Sequence, residues 1–218
     1  MPRIERIYLD YNATSPVKPE VAKLLAAVAM EGGNPSSIHG KGRKARAYVE
    51  DARKSVAALV NAFPPEVIFV ASGTEATDLA INGVAMANGI TDFVVNVSEH
   101  PAVRAAAAFN DLPVTDLPVT ADGVIDLTAA EAIFDDLAAR ERKAMICVMV
   151  ANNETGVIQP VQQISQMVRE RNIGLVHCDA VQAIGKVPVD TVLLGADTMA
   201  LSAHKIAGPQ GVGALIVR

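Results

Sequence analysis

The stretch Ala200-Leu201-Ser202-Ala203-His204-Lys205 ends a strand-like apolar run, residues 196–201, in a turn that carries a lysine. The same form recurs upstream, where apolar runs end in small or polar residues and are separated by segments with helical spacing. Strands that alternate with helices predict an α/β fold with a mainly parallel sheet. This stretch is therefore one of several strand ends that we expect to meet at one edge of the sheet.

The apolar pattern predicts seven strands and at least five helices, with the helices on both faces of the sheet. About ten residues separate Leu201 from Val212. This is short for a helical crossover, so the last strand is expected to run antiparallel. The predicted strands are 67–70, 93–97, 114–117, 145–150, 175–178, 198–201 and 212–217, and the helices are 17–28, 49–60, 74–88, 128–142 and 161–172.

The charge balance disfavours nucleic acid as a partner. The chain has 24 acidic and 19 basic residues and a net charge of −5, whereas binding to phosphate backbones needs clustered positive charge. The one basic run, Lys41-Gly42-Arg43-Lys44-Ala45-Arg46, is interpreted as an exposed helix face rather than as a phosphate-binding patch.

Targeting and redox signals are also weak. Residues 1–11 lack the apolar core of a signal peptide, and the longest apolar run, 144–151, is too short to span a membrane. Cys147 and Cys178 lie inside apolar runs, which predicts two buried thiols and no disulfide framework. We expect a cytoplasmic protein that does not bind membranes, and no metal site is predicted.

Five successive strand ends carry residues capable of chemistry. Each has an ordinary structural interpretation: a helix cap for Ser72 or Asp179, a turn for Asn153, a structural imidazole for His100 and a surface amine for Lys205. Their convergence on one edge favours a functional site instead. The segments are 72–76, 98–101, 152–156, 179–182 and 202–205.

Three of these groups match the needs of pyridoxal phosphate. The Lys205 amine can form an imine, and the Asp179 carboxylate can hold a ring nitrogen protonated. The small-residue turn that opens a helix at Gly73 and Thr74 can hold a phosphate. No phosphate-loop motif and no G-x-G-x-x-G after a strand is present, which disfavours nucleotide binding.

The chain resembles the cysteine desulfurases, within the class V aminotransferase group of pyridoxal-phosphate enzymes. The resemblance spans nearly the whole chain in the family's order, and the GNPSS segment favours desulfurases over sibling transaminases. The matching segments are YLDYNAT (8–14), GNPSSIH (33–39), SGTEA (72–76), SEHP (98–101), NNETG (152–156), HCDAVQ (177–182) and SAHK (202–205).

The resemblance implies a fold-type-I pyridoxal-phosphate transferase large domain and a role for each matching residue. Lys205 would hold the cofactor, and His100 would stack on its ring and shuttle protons. Asp179 would pair with the ring nitrogen. The remaining implied contacts are Gln182 and Asn153 with the ring's phenolic oxygen or the substrate, and Gly73, Thr74, Ser202 and His204 with the phosphate.

The implied reaction converts L-cysteine to L-alanine, with the sulfur passed through an enzyme persulfide to an acceptor such as an iron–sulfur scaffold protein. The implied assembly is a homodimer. Residues 1–15 would lie near the active site or small domain, and residues 16–218 would form the cofactor-binding large domain. Because the family's chains are nearly twice this length, we expect the C-terminal small domain, with its nucleophilic cysteine, to be absent.

Three interpretations stay open at this point. The chain is the cofactor-binding part of a desulfurase, another class V enzyme such as a selenocysteine lyase or aminotransferase, or a non-catalytic fragment that acts as an interaction module. The departures from the family pattern are Cys178 in place of a small apolar residue, Ala203 in place of a common glycine, and Ala207 and Gln210 after the lysine.

Overall fold

A computed structural model describes residues 7–218 and contains one seven-stranded sheet, in the order β1-β7-β6-β5-β4-β2-β3. The central strands are continuous apolar runs because a parallel sheet is buried on both faces. Every residue of β2, β4 and β6 is buried. The strands are β1 (Val67–Val70), β2 (Asp92–Asn96), β3 (Val114–Leu117), β4 (Ala144–Met149), β5 (Gly174–Asp179), β6 (Thr198–Ser202) and β7 (Gly213–Val217).

The antiparallel prediction for the last strand is confirmed. β7 lies between β6 and β1 and runs antiparallel to both, with Met199 opposite Ile216 and Phe69 opposite Ala214. The other neighbouring strands are parallel. The predicted α/β class and mixed seven-stranded sheet are therefore confirmed.

Helices cover both faces of the sheet, as predicted. One core packs Phe134 and Ile164 against Ile146, and the opposite core packs Ile81 and Val103 against strand residues on the other face. The helices are α1 (Pro19–Glu31), α2 (Gly40–Leu59), α3 (Gly73–Asp78), α4 (Ala85–Ala87), α5 (Pro101–Ala108), α6 (Leu127–Ala139), α7 (Val161–Arg171) and α8 (Thr191–Leu194).

The structure corrects several helix predictions. α2 begins at Gly40 rather than at residue 49. The apolar pattern missed this start because the first half of the helix presents no apolar stripe and because its cap is the imidazole of His39, an unusual cap residue. The predicted helix 74–88 contains a π-helical stretch, Leu79–Val84, between α3 and α4. The full extent of α5 and the presence of α8 were not predicted.

The basic run lies in the first turns of α2, with its lysines and arginines exposed, which confirms the interpretation as a solvated helix face. Cys147 and Cys178 are buried free thiols, also as predicted. Among residues 7–218, no helix combines the length and the apolarity that a membrane crossing requires.

Candidate functional site

The carboxyl ends of the parallel strands surround a cavity of about 630 Å³, which is within the range that accommodates a small cofactor. All nine residues predicted from the sequence line this cavity, although they come from five separate chain segments. They are Gly73, Thr74, His100, Asn153, Asp179, Gln182, Ser202, His204 and Lys205.

The turn that follows β1 is tightly constrained. The Ser72 hydroxyl caps α3 by accepting from the amide of Glu75 at 3.0 Å, and the Glu75 carboxylate accepts from the Ala71 amide at 2.6 Å. A Cβ at Gly73 would lie 2.8 Å from Cγ2 of Val181, so this position has no room for a side chain. The first amides of α3 thus border the cavity at a point where the backbone can approach a ligand closely.

The amine of Lys205 points to the N-terminal segment. It donates hydrogen bonds to the carbonyl oxygens of Asn12 and Ala13, the second at 2.9 Å. Partial burial lowers the pKa of this amine, while the nearby carboxylates of Asp10 and Asp179 oppose that shift. A depressed lysine pKa increases the fraction of neutral amine, which is the form that attacks carbonyl groups.

Asp179 closes β5 opposite Met149, the last residue of β4. Its Oδ1 accepts from the amide of Val181 at 2.9 Å. Burial raises the pKa of this carboxyl, and the hydrogen bond from the Val181 amide together with the nearby His100 and Lys205 counteracts the rise. A cationic ring nitrogen next to Asp179 would favour its ionised form further.

The two histidines of the site use their Nδ1 atoms structurally. His100 accepts from the amide of Ala102 at 3.2 Å and so caps α5. This contact places the proton of the neutral ring on Nε2. His204 Nδ1 lies 3.2 Å from the hydroxyl of Thr14, and burial followed by the charge of Lys205 lowers its pKa.

Two residues with no predicted role, Asn12 and Lys186, join the site. The Asn12 carbonyl accepts from Nε2 of Gln182 at 2.8 Å, and the Oδ1 of Asn12 accepts from Nζ of Lys186 at 3.0 Å. Asn12 Nδ2 donates to the carbonyl of Asn153 at 2.9 Å. Asn12 lies within a segment that carried the resemblance, which was the only available signal, because contacts over such sequence separations leave no periodic pattern.

Glu99 is a third residue without a predicted role. Its Oε1 accepts from the backbone amide of Met149 at 2.6 Å and from the side-chain amide of Asn96 at 3.1 Å. Its Oε2 has no hydrogen-bond partner within residues 7–218. Burial, followed by the charge of Asp179, raises the pKa of Glu99 to about 8. This carboxyl is thus protonated at neutral pH.

The donor set fits pyridoxal phosphate. The glycine cradle at Gly73 and the hydroxyl of Thr74 suit a phosphate, and Asp179 suits a protonated pyridine nitrogen. The Lys205 amine opens to the same cavity. Among the described residues 7–218, no group of three or more His, Cys, Asp and Glu side chains is arranged to hold a metal ion.

The family model for class-V aminotransferases matches residues 7–218. A curated relative, the cysteine desulfurase IscS of Dictyoglomus turgidum, is 40% identical over 220 residues, which cover 97% of this chain and 54% of that protein. The chain therefore spans about half the length of the curated relatives that it matches.

Solved structures give the same fold. A NifS-like protein superposes with a TM-score of 0.91 at 34% identity, covering 98% of this chain and 59% of the other. A structure described as SspA in complex with cysteine superposes with a TM-score of 0.89 at 31% identity, covering 98% of this chain and 61% of the other.

Proposed function

Because the chain belongs to the class V aminotransferase family, we propose that it is the pyridoxal-phosphate-binding part of a cysteine desulfurase. The proposed reaction converts L-cysteine to L-alanine and transfers the sulfur to an acceptor. The observation that carries the proposal is the single cavity lined by nine residues from five segments, in a chain whose curated relatives are cysteine desulfurases. The likeness to SspA in complex with cysteine supports the choice of substrate.

The cofactor would be held by three groups. Lys205 would provide the amine for covalent attachment, Asp179 would bind the ring nitrogen, and the start of α3 at Gly73 and Thr74 would bind the phosphate. Ser202 and His204 extend the phosphate site from the lysine turn. When bound, pyridoxal phosphate supplies an electron sink that stabilises negative charge on the substrate carbon.

The surrounding side chains would orient the ligand and move protons. The Nε2 proton of His100 is available to the cavity because Nδ1 caps α5. Asn153 and Gln182 line the same cavity, where their amides would fix the ring or substrate. Asp179, held by the Val181 amide, would keep a protonated ring nitrogen in place.

Neither cysteine suits the sulfur-accepting role. Cys147 and Cys178 are buried, and burial raises the pKa of both thiols. A thiolate that attacks sulfur must be ionised and accessible. We therefore propose that the attacking thiolate comes from outside residues 7–218 and that the 218-residue chain alone has little desulfurase turnover.

The further assignments rest on the family resemblance. They are an acceptor such as an iron–sulfur scaffold protein, a homodimeric assembly, residues 1–15 near the active site with 16–218 as the large domain, and a cytoplasmic location. Residues 7–15 do contribute Asp10, Asn12 and Ala13 to the cavity wall, which supports the assignment of this segment. Residues 1–6 lie outside the described part.

Spectroscopy of the purified chain with added pyridoxal phosphate tests the proposal. We expect a visible absorption band that is abolished in Lys205→Ala and retained in Lys23→Ala, an exposed lysine on α1. A wild-type chain that takes up no cofactor contradicts it. In a protein supplied with an attacking thiol, alanine production from cysteine separates a desulfurase from a transaminase.

A further inference from the structure

The backbone of Asn12 lies at a junction between three strand ends. Its side chain joins Asn153, which follows β4, to Lys186, which follows β5, through the 2.9 Å and 3.0 Å hydrogen bonds. Its carbonyl oxygen accepts hydrogen bonds from the side chains of Gln182 and Lys205. Oδ1 and Nδ2 of Asn12 therefore both form hydrogen bonds, and these two contacts hold the Asn12 backbone, including its carbonyl, in place.

A second set of hydrogen bonds ties the same segment to the lysine turn. The amide of Ser15 donates to the carbonyl of His204 at 2.8 Å, and the Ser15 hydroxyl donates to the carbonyl of Lys205 at 2.9 Å. The amide of Lys18 donates to the carbonyl of Ala207 at 3.0 Å. These hydrogen bonds therefore hold the N-terminal segment in a fixed position relative to Lys205.

The contact itself favours a charged amine. A lysine ammonium has three donors and no acceptor, whereas a carbonyl oxygen only accepts. Two carbonyls, those of Asn12 and Ala13, face the amine of Lys205. Hydrogen bonds to a charged group are stronger than those between neutral groups, so this pair stabilises the ammonium form.

We propose that the carbonyls of Asn12 and Ala13 form a resting site for the free amine of Lys205, and that Asn12 is the positioning residue that fixes this site. The amine occupies it whenever Lys205 is not attached to cofactor. If the proposed function is right, this occurs before cofactor loading and again when a substrate amine displaces the lysine.

Some of the charged groups around the Lys205 amine favour its ammonium form, and others oppose it. Asp10 of the N-terminal segment and Asp179 of β5 favour the ammonium form. Lys186 lies close enough to Lys205 for the two charges to interact, and His204 is the adjacent residue. Substitution of Asn12 leaves the side chains of Asp10, Asp179 and His204 in place but releases the Lys186 amine from Oδ1 of Asn12. The titration of Lys205 is therefore also compared between Lys186→Gln and the double variant Lys186→Gln/Asn12→Ala, where a shift due to the resting site persists.

Competitive acetylation of the cofactor-free chain tests the proposal. The chain is exposed briefly to acetic anhydride over a series of pH values, and labelling of the Lys205 peptide is measured against that of the exposed Lys23. Asn12→Ala keeps the backbone carbonyl but removes both of its anchors. We expect labelling of Lys205 at neutral pH to rise about 2- to 10-fold, since a hydrogen bond contributes about 0.5–1.5 kcal/mol.

The pH profile separates this role from simple shielding. Loss of shielding raises labelling equally at every pH and leaves the midpoint unchanged, whereas loss of the resting site moves the midpoint of Lys205 to lower pH. Asn12→Ser, whose side chain is too short to reach both anchors, is expected to shift the midpoint in the same direction. Asn88→Ala, which removes a contact with Val84 at the end of α4, should leave it unchanged.

Two results overturn the proposal: an unshifted midpoint in Asn12→Ala, or in Asn12→Ser should the alanine variant not fold, and a shift of equal size in Asn88→Ala. Because the labelling needs no cofactor, its outcome is independent of the proposed function. A chain that binds no pyridoxal phosphate but shows the shift refutes only the function, and the converse result refutes only the resting site.

Discussion

The carboxyl of Glu99 is joined to the backbone of Met149 at the end of β4, where Oε1 accepts from the amide at 2.6 Å. Met149 in turn stands opposite Asp179 in the neighbouring strand. The candidate cofactor-binding carboxylate therefore has a second, buried acid close beneath it. Within residues 7–218, only one oxygen of that acid has a hydrogen-bond partner.

Glu99→Gln is expected to change how stability depends on pH. The pKa of Glu99 is about 8 in the folded chain against 4.5 in the unfolded one, so the unfolded state loses this proton first. Its contribution to stability is complete below pH 4.5 and is lost as pH rises towards 8. The free energy of unfolding of the variant should therefore rise relative to that of the wild type by up to about 1.4 kcal/mol per pH unit across this window.

Urea unfolding at several pH values between these limits measures that gain. The exposed Glu141→Gln serves as the matched control and should follow the wild type. If the difference between Glu99→Gln and the wild type stays constant with pH, Glu99 is ionised in the folded protein and the account of this buried acid is wrong.

Gly73→Ala is expected to weaken cofactor binding. The new methyl group would lie 2.8 Å from Val181 and 3.4 Å from Ser202, so the start of α3 must shift where the phosphate is proposed to bind. We expect a loss of at least about tenfold in pyridoxal-phosphate affinity, equivalent to about 1.4 kcal/mol. Titration followed by visible absorbance measures it, with Gly40→Ala as a control at the start of α2.

Asp179→Asn is expected to weaken the same binding for an electrostatic reason. The amide keeps the shape of the side chain but removes the charge that pairs with a protonated ring nitrogen. Because a charge-assisted hydrogen bond contributes about 1.5–3 kcal/mol, affinity should fall roughly 10- to 100-fold. An unchanged affinity would place the ring nitrogen elsewhere; Asp122→Asn, on an exposed turn, controls for net charge.

Gly174→Ala is expected to destabilise the fold strongly. Gly174 has a φ of +137°, and an added Cβ would lie 1.9 Å from the carbonyl oxygen of Ala144 in the neighbouring strand. We expect a loss of more than about 3 kcal/mol, because both backbone strain and a clash are involved. Gly89→Ala, with a φ of +65° and no neighbour within 4 Å, should lose only about 1 kcal/mol in the same denaturant titration.

The sheet was predictable because its strands are short apolar runs with clear ends. All seven were predicted to within two residues, including the reversed direction of β7, which followed from the short connection after Leu201. Helices were less predictable where packing rather than periodicity determines them. The first half of α2 presents no apolar stripe, and the π-helical stretch Leu79–Val84 has no local sequence signature.

The cavity wall was predictable where residues end strands, because parallel strands bring their carboxyl ends together. The contacts of Asn12 with Gln182 and Lys186 were not, since they join positions about 170 residues apart. The burial of Glu99 was not predictable either, because a glutamate next to His100 in a turn can be exposed or buried without any change in the local sequence.

Reduction of the complex with borohydride, followed by mass analysis of the intact chain and its peptides, shows whether Lys205 carries the cofactor. This treatment fixes pyridoxal phosphate to the amine that carries it. We predict one phosphopyridoxyl group per chain, located on Lys205 and lost in Lys205→Ala. No mass gain, or label spread over exposed lysines such as Lys23 with none preferred, would contradict it.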